Sequence, residues 1–448
     1  MENIYKNKKV LVMGLARSGI AAAELLVKLG ASVTVSESKP LSEIKEKEYL
    51  EGLGIRLINQ TDDAMNEDYF RVIKNPGING KLPVVRAFTE RGIPVTTEIE
   101  LAFDVAPDQH YIAVTGTNGK TTTATLLYEV LSRAFPGKTC LSGNIGTALC
   151  RTVIENGLIE NTGNYIVLEI SNFQLLDIIS FRPEISVIIN LAPDHLDFMG
   201  SEDAYYRSKA RVYENQKGSD VFLKNLDDAT VDDYNRLLPP ACRTATYSLE
   251  DKTADYYADG EYVYRRGEKF FPESDIKVVG RHNVQNVLVA VAAADCLGAE
   301  PGAVRDAVAA FKGVEHRIEF VREKDGVKYY NDSKGTNVDA TVIALKSFKE
   351  HVFLLAGGHE KGLPLEPLRP YLENVTLIAY GACGSRLYSE LGGKDAVLLE
   401  NLPQAVEYAH GKAVSGDIVL LSPTTSSFDQ YKCFEDRGDH FKALVNAL

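Results

Sequence analysis

The sequence predicts an α/β protein with three domains, and three observations lead to this prediction. The chain has 448 residues, which is about three times the length of a typical domain. Apolar runs of strand length alternate with helical patterns along the chain. In each third of the chain, polar or glycine-rich loops follow apolar runs, which is where ligands bind in parallel sheets. We expect a Rossmann-like domain in residues 1–108, a P-loop domain in 109–313 and a second Rossmann-like domain in 314–448.

Composition and charge exclude several classes of protein. The 62 acidic residues outnumber the 49 basic ones, and no basic block is present, so the sequence does not suggest a nucleic-acid-binding surface. No apolar stretch reaches the ~18 residues that a membrane span needs, and the N-terminus has no apolar signal core, so we expect no membrane insertion. The six cysteines are scattered without a C-x-x-C pair, which predicts no zinc site and a reducing, cytoplasmic location.

Residues 1–108 begin with a βαβ pattern. Its strand, glycine-bearing loop, helix and second strand are at 9–13, 14–19, 20–29 and 32–35. The loop reads G-x-A-x-x-G, and Glu37 follows about 20 residues later, which is close to the dinucleotide-binding fingerprint. Ala16 stands where a middle glycine would allow a pyrophosphate to approach most closely, so the pattern favours another nucleotide over NAD. An NAD-dependent oxidoreductase, or a glycine turn without a ligand, remains an alternative.

The segment from Tyr111 to Thr123, YIAVTGTNGKTTT, has the parts of a phosphate-binding loop. An apolar strand leads into small residues and glycines, which are followed by Lys120 and a helical pattern. Glycines let backbone N–H groups surround phosphate oxygens, the lysine supplies a cation, and a threonine hydroxyl can bind Mg²⁺. Only two residues separate Gly116 from Gly119, where the common pattern has four. This spacing favours a distinct family over GTPases and transport ATPases.

Two more strands of the central segment end in polar residues. The apolar strand 164–170 ends with Glu169, and a carboxylate beside a phosphate loop is where Mg²⁺ is usually held. The next apolar run leads into a loop with His195, for which this position favours metal or phosphate binding over a role in a turn. Lys209 falls on an amphipathic helix at 201–214, where the residues alone predict a solvated surface lysine.

Polar residues beyond position 280 indicate where a nucleotide base and a carboxylate ligand would bind. Asn283 and Asn286 precede a long apolar helix and share one of its faces, because they are three residues apart. Two amides suit the edge of an adenine, although Asn283 would also serve as a helix N-cap. In the last third, three strands lead into loops rich in cations and hydroxyls, at 331–337, 357–362 and 422–429. Such loops suit a ligand with carboxylates, or they only cap the helices that follow.

Together these motifs resemble those of the Mur ligase family, the ATP-dependent amide-forming enzymes of bacterial cell-wall precursor synthesis. The resemblance covers essentially the whole chain. The matching motifs, in chain order, are 116–121, 142–146, 169–174 (EISNFQ), 194–197 (DHLD), 281–286, 316–317 and 332–337 (DSKGTN). Within the family, the start at 14–19 and the ending at 422–438 are similar to those of members that add D-glutamate. The Asp-Asn-Pro-Arg segment of the diaminopimelate-adding members does not occur in the sequence.

The resemblance implies a role for each motif. The UDP end of the substrate would be bound by Gly14, Leu15, Ala16, Arg17, Glu37, Ser38, Asn75, Gly77 and Asn144. ATP would be bound by Gly116, Thr117, Asn118, Gly119, Lys120, Thr121, Thr122, Asn283, Asn286, Arg317 and Asp332. D-Glutamate would be bound by Lys334, Thr336, Lys361, Ser427, Phe428 and Phe434. Two Mg²⁺ ions would be held by Thr121, Glu169, His195 and Lys209, the last as a carbamate formed with CO₂. The catalytic residues would be Lys120, Glu169, His195 and Lys209.

The reaction that the resemblance implies is the ATP-dependent addition of D-glutamate to UDP-N-acetylmuramoyl-L-alanine through an acyl phosphate. This would be a step of peptidoglycan synthesis, which cell shape and cell division require, and we expect a monomeric enzyme. Three alternatives remain: another member of the family, a nucleotide-binding oxidoreductase, and a nucleotide sensor without catalytic activity.

Overall fold

The computed structural model describes residues 3–362 and 364–448, and the side chain of Asp197 lies outside the described part. Within these residues the chain forms three β-sheets, each accompanied by helices, so the predicted α/β class is confirmed. The first two sheets belong to one compact unit, which comprises residues 1–274 and 285–308. The third sheet belongs to a second unit, which comprises residues 275–284 and 309–448. The division into three domains with the bounds given above stays a prediction.

The first sheet has five parallel strands. They are β1 (Lys9–Met13), β2 (Ser32–Glu37), β3 (Arg56–Asn59), β4 (Arg71–Lys74) and β5 (Val95–Thr96). The helices are α1 (Arg17–Lys28), α2 (Lys47–Gly52), α3 (Pro83–Glu90) and α4 (Glu98–Val105). The sheet order β3-β2-β1-β4-β5 reverses direction between β1 and β4. Ligands collect at such a point, and the loops after these two strands begin at Gly14 and Asn75.

The second sheet has nine strands, and the glycine loop predicted to bind phosphate follows the first of them in the chain. They are β6 (His110–Thr115), β7 (Thr139–Gly143), β8 (Tyr165–Glu169), β9 (Ile185–Ile188), β10 (Val221–Asn225), β11 (Arg243–Ser248), β12 (Tyr256–Ala258), β13 (Tyr262–Arg265) and β14 (Glu268–Pro272). The helices of this segment and those that follow it are α5 (Lys120–Ala134), α6 (Leu149–Glu155), α7 (Asn172–Leu175), α8 (Leu196–Met199), α9 (Glu202–Ala210), α10 (Ala229–Leu237), α11 (Arg281–Cys296) and α12 (Pro301–Ala310). The order is β14-β13-β12-β11-β10-β9-β6-β8-β7. The carboxyl ends of β6, β8 and β9, which are parallel neighbours, therefore lie side by side.

The antiparallel strands β12 to β14 were not predicted from the sequence. Their turns contain Asp259-Gly260 and Arg266-Gly267, and both glycines have positive φ angles. An Asp-Gly pair between alternating apolar residues is a hairpin signal, so the sequence did contain the information.

The third sheet has six strands. They are β15 (Glu319–Lys324), β16 (Val327–Asn331), β17 (Val352–Gly357), β18 (Val375–Tyr380), β19 (Val397–Leu398) and β20 (Ile418–Leu421). The helices are α13 (Val338–Leu345), α14 (Gly384–Leu391), α15 (Leu402–Lys412) and α16 (Phe434–Ala447). The order is β15-β16-β20-β17-β18-β19, and only β15 runs antiparallel to its neighbour among these strands. Alternate residues of β17 enter different cores, since Leu354 packs on one face of the sheet and Phe353 and Leu355 on the other.

One hydrophobic core joins the first two sheets. It includes Val10 and Leu25 from the first sheet and its helix, Ile99 from α4, and Tyr111 and Phe222 from the second sheet. A continuous core of this kind holds the two sheets as one unit. Among the described helices, none has the length and apolar content needed to cross a bilayer.

Three predicted helices differ in their bounds from the structure. The helix expected at 20–29 is α1, Arg17–Lys28. The helix expected at 201–214 ends at Ala210 and continues as a 3₁₀ turn, Arg211–Tyr213. The helix expected from residue 287 begins at Arg281, so Asn283 lies inside the first turn and is not the N-cap residue. Its side-chain amide donates a hydrogen bond to Val279 O at 2.7 Å.

Candidate functional site

The loop between β6 and α5 has a backbone that only glycine tolerates at two positions. Gly116 has a φ of 150° and Gly119 a φ of 82°. A Cβ atom at Gly116 would lie 3.3 Å from both the backbone N and the backbone O of Asn190. The Asn190 side chain follows the loop closely: its Oδ1 accepts from Asn118 N at 2.8 Å, and its Nδ2 donates to Asn118 O at 3.2 Å. Asn190, two residues after the end of β9, thus fixes the shape of the loop.

Lys120 is the first residue of α5, so its charge lies at the positive end of a helix dipole. Its Nζ donates hydrogen bonds to two carbonyls of the same loop, Gly116 O at 3.0 Å and Thr117 O at 2.8 Å. An ammonium held against the loop and a row of helix N–H groups make this a site for phosphate oxygens.

Lys209 is buried, and the expectation of a solvated surface lysine is therefore wrong. Its side chain is on α9, only 1% of the residue is exposed, and its Nζ donates a hydrogen bond to Gly116 O at 2.8 Å. The Nζ also lies 4.8 Å from the ring centre of Tyr205. Burial lowers the pKa of Lys209 well below its usual range, and the charge of Lys120 lowers it further, against the opposite influence of Asp194 and Glu169.

Glu169 ends β8 and is 1% exposed. Its Oε1 accepts a hydrogen bond from Asn144 Nδ2 at 2.7 Å. Its Oε2 is buried and has no hydrogen-bond partner among the described residues. A buried carboxylate oxygen without a donor is costly unless a cation binds it, and hard oxygen ligands suit Mg²⁺. The close neighbour Gly143 has a φ of 105°, and a Cβ there would lie 2.3 Å from Glu169 O.

His195 is in the left-handed region, with a φ of 51°, and is the N-cap residue of α8. Its ring meets the ring of Phe173 edge-on, with 5.0 Å between the centres, and its Nε2 lies 3.6 Å from Asp194 Oδ2. Among the described residues, no group of three or more His, Cys, Asp or Glu side chains is placed to hold a metal ion. The four predicted metal ligands are Thr121, Glu169, His195 and Lys209. Only two of them are of the His, Cys, Asp or Glu type, so a cluster of three such side chains is not expected from this set.

A cavity of 310 Å³ lies within the first unit, beside the loops after β1 and β4. It is lined by Ala16, Arg17, Ser18, Asn75, Pro76, Gly77, Glu98, Gly143, Asn144, Ala148, Ser171, Phe173 and Gln174. Arg17 donates a hydrogen bond across to Gly146 O at 3.3 Å. The structure thus brings together five of the nine residues predicted for the UDP end of a substrate.

Glu37 and Ser38 are not among the residues that line this cavity. The Glu37 carboxylate accepts hydrogen bonds from Leu15 N at 2.9 Å and from Ser38 N at 2.7 Å. Burial would raise the pKa of Glu37, but these hydrogen bonds outweigh it, and the pKa is lowered. Glu37 therefore fixes the backbone of the loop after β1.

Asp332 is buried in the second unit, at the end of β16. Its Oδ2 accepts a hydrogen bond from Ser422 Oγ at 2.7 Å, and its Oδ1 accepts one from Ile318 N at 3.3 Å. Burial raises the pKa of Asp332 to about 7, although the Ser422 hydrogen bond and the guanidinium of Arg317 lower it. The folded protein therefore favours the protonated carboxyl at pH values where an exposed aspartate is ionised.

The residues predicted for D-glutamate form two contacting pairs and a turn in the second unit. Lys334 Nζ lies 4.7 Å from the ring centre of Phe434, and Lys361 Nζ donates to Thr336 O at 3.0 Å. Ser427 is 2% exposed, whereas its neighbour Phe428 is 68% exposed, in the turn after β20. That turn is bound to the loop after β17 by a hydrogen bond from His359 N to Ser426 O at 2.8 Å.

Comparisons with known proteins decide the family. Two family models match the chain, the Mur ligase middle domain over residues 114–294 and the Mur ligase, glutamate ligase domain over residues 316–425. The UDP-N-acetylmuramoylalanine--D-glutamate ligase of Geobacillus sp. (strain WCH70) is 40% identical over 451 residues, covering 99% of this chain and 98% of that protein. The ligase of the same name from Geobacillus kaustophilus (strain HTA426) is 41% identical over 453 residues, with the same coverage. The chain belongs to the Mur ligase family.

Solved Mur ligase structures have the same fold. The UDP-N-acetylmuramate-alanine ligase of Thermotoga maritima superposes with a TM-score of 0.60 at 20% identity and covers 98% of this chain and 100% of that one. The MurF ligase of Thermotoga maritima, solved in complex with ADP, has a TM-score of 0.60 at 16% identity, covering 99% and 97%.

The Mur ligase matches include most of the predicted site residues. The middle-domain match contains the phosphate loop, Glu169, His195 and Lys209, and the glutamate ligase match contains Asp332 and Lys361. Ser427, Phe428 and Phe434 lie beyond the end of that second match, in and after the turn that follows β20. Asn283 belongs to the second unit and Asn286 to the first, where it accepts from Thr123 Oγ1 at 2.9 Å.

No role was predicted from the sequence for several residues of this Mur ligase, among them Asn190, Phe173, Gln174 and Arg437. Asn190 shapes the phosphate loop, and its position at the end of an apolar run could have indicated this. Phe173 and Gln174 line the cavity, within the motif that had been used only for Glu169. Arg437 is fully buried, where its Nε donates to Ser333 Oγ at 3.0 Å, and no signal in a single sequence distinguishes it from a surface arginine.

Proposed function

We propose that this Mur ligase adds D-glutamate to UDP-N-acetylmuramoyl-L-alanine at the expense of ATP, in peptidoglycan synthesis. The full-length similarity to two proteins named UDP-N-acetylmuramoylalanine--D-glutamate ligase supports this substrate choice. The observation that carries the proposal is the arrangement at the carboxyl ends of β6, β8 and β9. There a lysine-bearing glycine loop lies beside a buried carboxylate oxygen that receives no hydrogen bond from the described part of the chain.

Each of the three sheets has its own role in the proposal. The first, Rossmann-like domain binds the UDP end of the substrate, and the cavity with Arg17, Asn75 and Asn144 supports this. The central P-loop domain binds ATP through 116–122, and the amide of Asn286 lies beside Thr123. The C-terminal Rossmann-like domain binds D-glutamate through its lysines and the Ser427 turn. We further propose a cytoplasmic monomer.

The chemistry requires that a poor acyl donor be activated. A carboxylate oxygen of the L-alanine unit attacks the γ-phosphorus of ATP, ADP leaves, and an acyl phosphate forms. The amine of D-glutamate then attacks the acyl carbon, and phosphate leaves with the oxygen that it received. Lys120 offsets the charge that develops on the transferred phosphoryl group. The loop N–H groups hold that group in line with the attacking oxygen.

The oxygen ligands near the loop fit Mg²⁺, because Glu169 Oε2 is a buried hard oxygen to which no residue described by the structure donates a hydrogen bond. Glu169, the Thr121 hydroxyl, His195 and a carbamate on Lys209 would hold the metal, with two ions proposed. When bound, Mg²⁺ neutralises phosphate charge.

The environment of Lys209 supports its modification. Carbamate formation needs a neutral amine, which attacks CO₂ and loses a proton to give an N-carboxylate. Burial and the neighbouring Lys120 favour that neutral amine by lowering the pKa of Lys209. The product has two oxygens in place of a cation, which removes the repulsion between an ammonium and a metal ion.

A substrate panel tests the proposal. ADP and phosphate release are measured with UDP-N-acetylmuramoyl-L-alanine and, in turn, D-glutamate, L-glutamate, L-lysine and diaminopimelate. UDP-N-acetylmuramate, which lacks the alanine, serves as the matched acceptor control. We expect release with D-glutamate and the complete acceptor only. Release of ADP and phosphate with another amino acid in place of D-glutamate would assign the chain the activity of a different member of the family.

A further inference from the structure

Strand β4 has an ion pair at each end. Arg71, its first residue, contacts Asp104 of α4 and donates to the hydroxyl of Tyr5 at 2.7 Å. Lys74, its last residue, contacts Asp177, with 2.8 Å between Nζ and Oδ2. The first pair joins β4 to α4, the helix that follows the last strand of the first sheet. The second pair joins β4 to the segment after α7, which connects strands β8 and β9 of the second sheet.

The Lys74–Asp177 pair is largely removed from water. The Lys74 side chain is 2% exposed and that of Asp177 is 19% exposed. Among the described residues, Asp177 Oδ2 has no hydrogen bond of good geometry, so the ionic contact alone satisfies it. Desolvation offsets much of the attraction in such a pair, which makes it a weak source of stability. An ion pair that contributes little stability is better explained by the separation that it sets between the two segments.

Both partners lie next to walls of the 310 Å³ cavity. Lys74 immediately precedes Asn75, Pro76 and Gly77, which line one side. Asp177 follows the segment of Ser171, Phe173 and Gln174, which lines the other side. Neither Lys74 nor Asp177 lines the cavity itself. The pair therefore connects the two walls from behind.

Two buried carboxylates of α4 connect the same regions. Glu98 lines the cavity and accepts from Cys150 N at 2.7 Å, at the start of α6. Glu100 accepts from Ile179 N at 2.9 Å and from Ser180 N at 2.6 Å, directly after Asp177. The Glu100 contacts hold the backbone that follows Asp177, so the Lys74–Asp177 contact acts against a fixed support.

We propose that the Lys74–Asp177 ion pair is a positioning device that sets the separation of the two walls and thereby the affinity for the UDP-linked substrate. This inference rests on the proposed function of the cavity. Lys74 and Asp177 are positioning residues, because they act through Asn75–Gly77 and Ser171–Gln174 and not through contact with the ligand.

Four variants test the proposal: Lys74→Met, Asp177→Leu, the double variant with both changes, and the control Arg71→Met at the other end of β4. Each single change leaves a buried charge unpaired and is expected to lower stability. The apolar pair of the double variant should restore the thermal midpoint, because apolar replacements of buried ion pairs are usually tolerated. The methionine and the leucine of the double variant lack the attraction between Nζ and Oδ2, so the two walls should be free to shift.

The readouts are the thermal midpoint, the Kd of the UDP-linked substrate by calorimetry, and the KM of all three substrates. We expect the double variant to be as stable as the parent, yet to have the Kd and KM for the UDP-linked substrate raised about tenfold. Its KM for ATP and D-glutamate should be unchanged. Arg71→Met should lose stability but keep the parent Kd.

Four outcomes would overturn the proposal. A double variant with the parent Kd would mean that the pair only stabilises the fold. A parallel rise in all three KM values, or a raised Kd in Arg71→Met, would indicate a general defect. Failure of the parent protein itself to bind the UDP-linked substrate would refute the proposed function along with this inference, and the parent measurement distinguishes that case.

Discussion

The buried amine of Lys209 donates a hydrogen bond to the carbonyl oxygen of Gly116, the first glycine of the phosphate loop, at 2.8 Å. The two residues are 93 positions apart in the chain, and α9 brings them together. Arg207, two residues earlier on the same helix, is exposed and paired with Asp203 at 2.8 Å. The helix thus has one face in solvent and presents Lys209 to the loop.

Replacing Lys209 tests its role directly. Lys209→Ala should be nearly inactive, because it removes the group that a carbamate would occupy. Acetate or formate should partly restore turnover by supplying a carboxylate in the vacated space. Arg207→Ala is the matched control and should retain activity without any added acid. High activity of Lys209→Ala without a carboxylate would refute the carbamate.

Lys120 should be essential for phosphoryl transfer. Lys120→Ala should fold normally and lower turnover by at least about 100-fold, because it removes a cation from the developing charge. The exposed Lys138, which follows α5, provides the control Lys138→Ala, with turnover close to the parent. Phosphate release at the parent rate in Lys120→Ala would show that the loop does not bind the transferred group.

The turn after β20 should control recognition of the amino acid. Ser427→Ala should raise the KM for D-glutamate more than the KM for ATP, since a buried hydroxyl in that turn is lost. Ser389→Ala changes an exposed hydroxyl of α14 in the same unit and should alter neither KM. An equal rise in both KM values would indicate a folding defect instead.

Asp332 should make stability depend on pH. Its pKa is about 7 in the folded protein, above the ordinary 3.8, so folding favours the protonated carboxyl. The stabilising contribution is therefore complete below pH 4 and is lost as the pH rises through 7. Asp332→Asn should avoid this loss and become more stable relative to the parent, on the order of 2–4 kcal/mol, between pH 4 and 8. Denaturant unfolding at both pH values measures the change, and a stability difference that does not vary with pH would contradict it.

Much of the fold was predictable because parallel strands are continuous apolar runs in sequence. Strand Lys9–Met13 has the predicted bounds, and the strand predicted at 164–170 is Tyr165–Glu169, one residue shorter at each end. Helix bounds were less accurate, since the first turn of α11 contains Arg281 and Asn283 and shows no apolar periodicity. The number of compact units could not be predicted from the sequence. It depends on whether neighbouring sheets share one hydrophobic core, as the first two sheets do around Val10 and Tyr111.

The candidate site was predictable where chemistry follows strand ends. Lys120 and Glu169 lie where the pattern placed them, at the carboxyl ends of neighbouring strands. The environment of Lys209 was not predictable, because burial of one helix face depends on distant segments such as the loop at Gly116. The same holds for Lys74 and Asp177, whose pairing requires two sheets to be packed together.

The central claim is that this Mur ligase activates the substrate carboxylate as an acyl phosphate before D-glutamate attacks. Its most direct test is the reaction of UDP-N-acetylmuramoyl-L-alanine labelled with ¹⁸O in both carboxylate oxygens, with ATP and D-glutamate. Mass spectrometry of the phosphate should find one ¹⁸O atom for each amide formed, because the carboxylate oxygen that attacks the γ-phosphorus leaves with it. Amide formation with unlabelled phosphate would contradict the account.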